Sequence, residues 1–412
     1  MSIDPIEAVL EDVRAGKPIV LIDDNTRENE GDLTVAAEKL TPEVLSFMMN
    51  EGKGLVCLSL TEERLGALGI PLQTQENTSL FGTNFAVSFD HRSVADRGVT
   101  TEGRVHSMLA ALHPDAKPED FVLPGFVFPV VAVEGGVLRR RGQTEGSVDL
   151  ARLAGLAPAG VICEIMGADG KMLRGAALDE YCARFDLRMT SVEELVRYRL
   201  RNEVMLRRVG AFSLSSQTGI GRNSRLASLL DTPAAESLRV VVYVDDVDEK
   251  EHFAFVLGEP KDGCLVRIHS ECLTGDVFES RRCDCGHQFD QALENILRAG
   301  EGVLVYLHQE GRGIGLGNKL RAYELQDQGL DTVDANVHLG FEVDPRNYRA
   351  GAQILSDLGL CAVRLMTNNP DKVSSLDAFG IRVVERVHLP VHIDDDNRRY
   401  MLTKQQKLGH MF

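Results

Sequence analysis

Three cysteines lie close together in the sequence Arg267-Ile-His-Ser-Glu-Cys-Leu-Thr-Gly-Asp276 and, a few residues later, Arg281-Arg-Cys-Asp-Cys-Gly-His-Gln288. A Cys-x-Cys pair preceded by a third cysteine offers three soft ligands that can close around one Zn²⁺ ion. Because three protein ligands leave one coordination position open, this pattern favours a catalytic zinc that activates a water. Two other interpretations stay open, namely three small buried thiols, or a structural site closed by His269 or His287.

A glycine-rich loop follows the buried-strand pattern of residues 302–307 and precedes a helical pattern over 318–326. Its sequence is His308-Gln-Glu-Gly-Arg-Gly-Ile-Gly-Leu-Gly317. Such loops bring backbone N–H groups close to phosphates, although many are only tight turns. Basic residues strengthen the phosphate interpretation, because the chain is otherwise acidic. They are Arg312, Lys319, Arg321, Arg346, Arg349 and Lys372, of which Lys319 and Arg349 best fit a solvated face.

The composition excludes several classes of protein. The chain has 412 residues, 43% hydrophobic and 26% charged, which is typical of a globular enzyme with two or three domains. Its net charge of −17 disfavours a general nucleic-acid binder. No apolar run approaches the roughly 18 residues of a membrane helix, and the amino terminus lacks a signal-peptide pattern. We therefore expect a cytoplasmic protein with no nucleic-acid or membrane partner.

The pattern of apolar residues divides the chain into two parts. The first half alternates apolar runs with helix-like stretches, and the second half restarts with the β-branched run at 239–244, so we predict an α+β protein with two α/β-type domains. Between them, Ser213 to Ser224 is rich in serine and glycine and has no apolar period. We predict a first domain over 1–205, a linker over 206–232, and a second domain over 233–412 that ends in a polar tail.

Four motifs of the second half occur in an order typical of one family. They are His269-Ser-Glu-Cys-Leu-Thr-Gly-Asp276, Arg282-Cys-Asp-Cys-Gly286, Gln309-Glu-Gly-Arg-Gly-Ile-Gly315 and Thr367-Asn-Asn-Pro370 with Lys372. Together they resemble GTP cyclohydrolase II over about 239–389. That family opens the imidazole ring of GTP to give 2,5-diamino-6-(5-phosphoribosylamino)pyrimidin-4-one, formate and pyrophosphate, the first step of riboflavin synthesis. The resemblance implies a mixed sheet with helices.

The resemblance also implies the residues of the site. Zn²⁺ would be bound by Cys272, Cys283 and Cys285. Asp344 takes the place of the proposed proton acceptor, Arg346 that of the proposed nucleophile, and Tyr323 a position linked to complete turnover. Since a guanidinium is a poor nucleophile without a strong base, Arg346 has a second possible role in stabilising charge on the phosphate. The positions that contact GTP in the family are Arg267, Ile268, His269, Ser270, Glu271, Gln288, Glu310, Gly311, Arg312, Thr332, Thr367 and Lys372.

A run of carboxylates stands out in the first half, where Arg27-Glu-Asn-Glu-Gly-Asp32 follows Asp23-Asp24. Such a run can bind a hard cation and carry out acid–base steps, although a solvated acidic loop is a common alternative. With Asn77-Thr-Ser79, Pro124-Gly125 and the segments 140–145 and 160–164, it resembles 3,4-dihydroxy-2-butanone 4-phosphate synthase over about 3–199. That family converts ribulose 5-phosphate to formate and a four-carbon phosphate with Mg²⁺.

Carried over to this sequence, the synthase site includes Arg27, Asp32, Arg140, Thr144 and Glu164, with Glu28 as a Mg²⁺ ligand. Three positions depart from the family. Gln143 replaces its second metal ligand, a histidine. Phe126 replaces the histidine of its Pro-Gly-His motif, and Ser93-Val-Ala-Asp-Arg97 precedes Gly98-Val-Thr-Thr101, where the family has a different order.

These departures all fall in the site, so we predict a folded but weak or inactive synthase domain, kept for dimerisation or support. The alternative is a working synthase in which the Gln143 amide oxygen binds Mg²⁺. The fused order resembles the bifunctional riboflavin proteins, and from these families we expect a homodimer. A third interpretation of the chain is a zinc-stabilised GTP sensor without turnover.

Overall fold

The computed structural model describes residues 3–23, 27–214, 232–341, 348–391, 393–394, 397–398 and 401–402. The chain divides into two compact units, Met1–Asn202 and Glu203–Phe412. No helix within these described ranges is long and apolar enough to cross a membrane.

The first unit contains an eight-stranded mixed sheet in the order β4-β6-β3-β7-β2-β1-β8, with β5 paired to β6. Its strands are β1 (Ile19–Ile22), β2 (Gly31–Ala36), β3 (Cys57–Thr61), β4 (Asn84–Phe85), β5 (Phe89–His91), β6 (Phe121–Ala132), β7 (Gly160–Glu164) and β8 (Met189–Ser191). Its described α-helices are α1 (Ile6–Ala15), α2 (Pro42–Phe47), α3 (Glu62–Ala67), α4 (Thr101–Leu112), α5 (Gln143–Leu153), α6 (Ala176–Phe185) and α7 (Val192–Asn202).

Strand β1 shows how the core of the first unit is arranged. All four of its residues are buried. Val20 and Ile22 pack in the apolar cluster that includes residues of α2 and α4, whereas Ile19 and Leu21 pack with α1, α5 and α7. Because successive side chains of a strand point to opposite faces, an uninterrupted apolar run is explained by helices on both sides of the sheet. The first unit is therefore a three-layer sandwich.

The second unit contains a seven-stranded mixed sheet in the order β15-β14-β12-β13-β11-β10-β9. Its strands are β9 (Leu206–Ser213), β10 (Leu238–Asp245), β11 (Glu251–Leu257), β12 (Leu265–Ser270), β13 (Gly302–Leu307), β14 (Ala362–Met366) and β15 (Arg382–Val387). Its described α-helices are α8 (Leu273–Asp276), α9 (Cys285–Ala299), α10 (Leu316–Asp327), α11 (Thr332–His338), α12 (Arg349–Asp357) and α13 (Pro370–Ala378). The predicted class, α+β with two α/β-type domains, is confirmed.

Four neighbouring strands of the second sheet are parallel, in the order β15-β14-β12-β13. Their carboxyl ends therefore meet at one edge of the sheet. The segments that leave β12, β13 and β14 begin at Glu271, His308 and Thr367, and all three belong to the motifs found in the sequence. Ligands of open α/β sheets bind outside the carboxyl ends of the strands, so the topology brings these motifs together where a ligand is expected.

The structure differs from the predicted linker over 206–232. Residues 206–213 form β9, which pairs antiparallel with β10, and the second compact unit begins at Glu203. The strand was missed because it lies at the edge of the sheet, where all of its residues after Leu206 are exposed and show no apolar alternation. Residues 215–231 of the predicted linker and 403–412 of the predicted tail lie outside the described residues.

Candidate functional site

Three sulfurs come together at the carboxyl edge of the second sheet. Cys272 follows β12, and Cys283 and Cys285 lie just before and at the start of α9. The Sγ atoms all lie within 4.8 Å of one another, with 3.6 Å between Cys272 and Cys283. Sulfurs at about 2.3 Å from a tetrahedral Zn²⁺ would be roughly 3.8 Å apart, so the spacing fits zinc. In the described part of the chain, no histidine nitrogen belongs to this group.

The loop around the sulfurs needs a residue without a side chain at Gly275. A Cβ atom there would lie 2.9 Å from Cys283 Sγ and 3.2 Å from Cys272 Sγ. The cluster also concentrates negative charge on one sulfur. Hydrogen bonds from Cys283 and Cys285, with the charge of Lys319, hold the pKa of Cys272 well below its usual range. The same hydrogen bond to Cys272 raises the pKa of Cys283 to about 12.

Asp276 fixes the position of the first cysteine. Its Oδ2 accepts hydrogen bonds from the Cys272 backbone N–H and from the Tyr306 hydroxyl, both at 2.9 Å, and lies 3.1 Å from His269 Nε2. Burial lowers the pKa of His269 although Asp276 opposes the shift, so we assign a neutral ring with the proton on Nε2. The buried Nδ1 then remains an acceptor without a hydrogen-bond partner in the described structure. Since Nε2 is engaged by Asp276, His269 contributes to the cavity rather than to the sulfur cluster.

Lys319 contradicts the solvated-face interpretation. Its side chain is only 12% exposed and its Nζ lies 3.1 Å from Cys272 Sγ. The ammonium also donates hydrogen bonds to Thr274 Oγ1 and Glu310 Oε1, both at 2.8 Å. Burial alone would lower the pKa of Lys319, but Cys272, Tyr323 and Glu310 together outweigh it and the pKa is raised. Arg349 is likewise buried and donates a hydrogen bond to Asp245 Oδ2.

A second group of polar side chains, formed by Arg267, Gln288 and Asp284, is held together by hydrogen bonds. Arg267 donates from Nη1 to the carbonyl of Met366 at 2.8 Å and from Nη2 to Gln288 Oε1 at 2.6 Å. The amide nitrogen of Gln288 donates to Asp284 Oδ2 at 2.5 Å. These bonds fix the orientation of the Gln288 amide, which is the property needed to distinguish donors from acceptors on a ligand.

The glycine-rich loop adopts an unusual backbone. Gly311 and Arg312 have φ values of +62° and +64°, in the left-handed region that a residue with a side chain rarely adopts. The Nη1 atom of Arg312 is buried without a hydrogen-bond partner among the described residues. Strained residues cluster at ligand-binding sites, and an unpaired guanidinium nitrogen suits an anionic ligand.

These groups line one cavity, whose empty volume including open solvent at its mouth is about 1010 Å³. The predicted residues on its wall are Arg267, His269, Ser270, Glu271, Cys272, Cys283, Cys285, Gln288, Glu310, Gly311, Arg312, Tyr323, Thr367 and Lys372. Ile268 is buried within β12, and its carbonyl accepts a hydrogen bond from Lys372 Nζ at 2.8 Å.

Three predicted residues cannot be placed on the wall of this cavity, and others were missed. Asp344 and Arg346 lie outside the described residues, and so does the side chain of Thr332, whose backbone begins α11. Lys319, Asn336 and the Asn368-Asn369 pair line the cavity but were not predicted. The two asparagines belong to the motif Thr367-Asn-Asn-Pro370, so they could have been predicted from the sequence. Asn336 belongs to none of the motifs and could not.

Arg27 occupies the centre of the carboxylate cluster in the first unit. Its Nη1 donates hydrogen bonds to Asp23 Oδ2 and to Gln143 Oε1, both at 3.0 Å, and its Nη2 donates to Glu28 Oε1 at 2.8 Å. By the resemblance, Glu28 and Gln143 take the family's two metal-ligand positions. One oxygen of each accepts from the same guanidinium, so in this arrangement a positive charge already lies against both residues.

Asp32 and Glu164 face each other on neighbouring strands, β2 and β7. Asp32 is 4% exposed, and its Oδ1 has no hydrogen-bond partner in the described residues. Burial, followed by the charge of Glu164, raises the pKa of Asp32 well above its usual range. Glu164 Oε2 is held at 2.8 Å by the backbone N–H of Leu55. A carboxyl group with a raised pKa opposite a second acidic side chain can serve proton transfer.

Three further residues of the first unit were singled out from the sequence, namely Thr144, Arg140 and Phe126. Thr144 is buried near the start of α5. Arg140 donates hydrogen bonds to Glu145 Oε2 at 2.5 Å and to Thr83 Oγ1 at 2.9 Å. Phe126 has an exposed ring, and its backbone N–H donates to Asp90 Oδ1 at 3.1 Å.

Comparison with known proteins assigns each part to a family. Residues 7–198 match the 3,4-dihydroxy-2-butanone 4-phosphate synthase family, and residues 224–388 match the GTP cyclohydrolase II family. The chain is 48% identical to the riboflavin biosynthesis protein RibBA of Aquifex aeolicus over 99% of this chain and 97% of that protein. It is 47% identical to RibBA of Bacillus mycoides over 98% of each.

Two further relatives differ in their descriptions. The probable bifunctional riboflavin biosynthesis protein RIBA 2, chloroplastic, of Oryza sativa is 46% identical over 99% of this chain and 71% of that protein. Among solved structures, RibBX from A. baumannii, described as a two-domain 3,4-dihydroxy-2-butanone 4-phosphate synthase, is similar with a TM-score of 0.62. It is 32% identical, over 95% of this chain and all of that one.

Proposed function

Since this chain belongs to the RibBA family of riboflavin biosynthesis proteins and carries a GTP cyclohydrolase II domain, we propose that its second unit opens the imidazole ring of GTP hydrolytically. The products would be formate, pyrophosphate and the diaminopyrimidine. The observation that carries this proposal is the cluster of three sulfurs on the wall of a cavity that also presents an unpaired Arg312 nitrogen.

Different polar groups of the cavity would contact different parts of GTP. Zn²⁺ held by Cys272, Cys283 and Cys285 would supply a Lewis acid for the hydrolysis that releases the ring carbon as formate. The fixed Gln288 amide and the free His269 Nδ1 offer hydrogen-bonding groups of defined direction to the base. Arg312 offers positive charge to the phosphates. Asp344 and Arg346 complete the proposed set.

Tyr323 would act as a hydrogen-bond donor to the bound ligand. Its hydroxyl lies 3.4 Å from Thr274 Oγ1, which also contacts the Lys319 ammonium and Cys272 Sγ. Burial raises the pKa of Tyr323 to about 12, so the phenol keeps its proton at neutral pH. A neutral phenol beside the sulfur cluster can hydrogen-bond to oxygen or nitrogen of a reacting ligand without adding negative charge to the site.

An assay with purified protein, GTP and Mg²⁺ tests this proposal. One formate and one pyrophosphate are expected for each GTP consumed, and both should stop after zinc removal and return after zinc is restored. Circular dichroism after chelation checks that the fold persists. GTP that binds but is recovered unchanged would contradict the proposal and favour the zinc-stabilised sensor.

For the first unit we propose a synthase fold with reduced synthase activity. Three features support this: the Arg27 guanidinium at both candidate metal ligands, the amide at residue 143, and the exposed phenyl ring of Phe126. The second candidate is full bifunctionality, with ribulose 5-phosphate as the other substrate. That candidate is supported by the match of residues 7–198 and by the description of the rice relative.

The substitution Gln143→His distinguishes these two candidates. An imidazole restores a proton-exchanging metal ligand, so we expect Mg²⁺-dependent formate release from ribulose 5-phosphate to rise about tenfold or more, a change of roughly 1.4 kcal/mol in the barrier. Gln143→Asn, which keeps an amide, serves as the matched control and should show no gain. If the unsubstituted protein already turns over ribulose 5-phosphate as fast as GTP, the first unit is a working synthase.

A further inference from the structure

Lys319 lies directly against a candidate zinc ligand and is held there by three acceptors. These are Cys272 Sγ at 3.1 Å, and Thr274 Oγ1 and Glu310 Oε1 at 2.8 Å each. An ammonium has three N–H donors, so all of them are used inside the site. A lysine on a solvated face would gain none of these contacts.

The loop before α10 is shaped to accept this side chain. Gly311 has a positive φ, and a Cβ atom there would lie 3.0 Å from Lys319 Cβ. Glu310 is 7% exposed, and its Oε2 accepts a hydrogen bond at 2.6 Å from the backbone N–H of Leu273, which follows Cys272. Glu310 therefore links the glycine-rich loop, the cysteine loop and Lys319.

We propose that Lys319 is a positioning residue that tunes the zinc site through an N–H···S hydrogen bond to Cys272. This inference rests on the proposed zinc site and goes beyond it. Three thiolates bring three negative charges to a divalent ion, and their electron donation weakens its Lewis acidity. A fixed positive charge 3.1 Å from one sulfur draws electron density from that sulfur and balances the surplus charge of the site. The same contact fixes the direction of the Cys272 side chain.

The test uses the full chain and two measurements that do not depend on turnover. Zinc affinity is measured by competition with a chelator, and the sulfur-to-metal charge-transfer band is recorded after substitution with Co²⁺. Without the ammonium, the surplus negative charge of three thiolates is unbalanced and the Cys272 side chain is no longer held in place, so Lys319→Met should weaken zinc binding by about the 10–100-fold that is typical of partners of metal ligands. Its charge-transfer band should move to longer wavelength, because the sulfur becomes more electron-rich.

Two further variants and a control make the result specific. Lys319→Arg keeps the charge and N–H donors, so it should recover most of the affinity and the band position. Arg321→Met removes a positive charge from the same helix at an exposed position and should leave both readouts unchanged. Circular dichroism shows whether each variant is folded. If Lys319→Met does not fold, Lys319→Gln takes its place, with the same expected changes in zinc affinity and band position.

The proposal is overturned if the folded variant without a charge at position 319 binds zinc with the original affinity and shows an unshifted band. A failure of the proposed function is distinguishable from this outcome. In that case the unsubstituted protein itself would bind no zinc or leave GTP unchanged.

Discussion

Cys283→Ser is expected to remove zinc from the second unit and to reduce formate release from GTP by about a thousandfold or more. The Cys283 side chain is buried, and its sulfur lies 3.6 Å from that of Cys272. A serine oxygen is a harder and much less acidic ligand, so the remaining two sulfurs should not retain the ion. Loss of metal catalysis is worth several kcal/mol, and about 4 kcal/mol corresponds to a thousandfold.

Cys361→Ser provides the matched control for this substitution. Cys361 is an exposed free cysteine, so its replacement should change neither zinc content nor rate. Zinc is measured by atomic absorption and formate by a coupled assay on the same samples. A Cys283→Ser protein that retains one zinc per chain and its full rate would contradict the assignment of the sulfur cluster.

Asp276→Ala is expected to have the largest effect on stability. The carboxylate accepts hydrogen bonds from the Tyr306 hydroxyl and the Cys272 backbone N–H, and it contacts His269 Nε2. Each buried donor left without a partner costs about 1–3 kcal/mol, so the free energy of unfolding of the second unit should fall by about 3 kcal/mol or more. Asp276→Asn keeps one acceptor and should cost less.

Denaturant unfolding of the metal-free protein measures this loss, with fluorescence and circular dichroism followed together because the chain has two units. Glu259→Ala serves as the control. Glu259 is 84% exposed and forms a surface ion pair with Arg239, so its removal should cost less than about 1 kcal/mol. Equal stability of the Asp276→Ala and Glu259→Ala proteins would contradict the role of Asp276 in the site.

The fold class and the sulfur cluster could be predicted from the sequence, because they depend on local pattern and on residue chemistry. The alternation of apolar runs and helix-like segments predicted the α+β class. One such run is strand Ile19–Ile22, which is apolar throughout because both of its faces are covered. The sulfur cluster was predictable because a thiol has few uses in a reduced protein apart from packing and metal binding. The edge strand Leu206–Ser213 could not be predicted in this way, since its exposed residues show no apolar alternation.

Contacts between distant segments limited the prediction of the site. Lys319 looked like a surface residue because its charge is usually exposed, and the partners that bury it, Cys272 and Thr274, are 45 or more residues away. The same holds for the hydrogen bond from Arg27 to Gln143 across 116 residues. The resemblance implied that Gln143 replaces a metal ligand, and the structure adds that the Arg27 guanidinium lies against it.

X-ray absorption at the zinc edge of the purified protein shows whether the three cysteines hold a zinc ion that keeps one coordination position open. We expect one zinc per chain with three sulfur neighbours at about 2.3 Å and one lighter nitrogen or oxygen neighbour that changes when GTP is added. Four sulfur neighbours, the scattering pattern of an imidazole ligand, or a spectrum indifferent to GTP would mean a closed structural site, and the account of a hydrolytic zinc centre would be wrong.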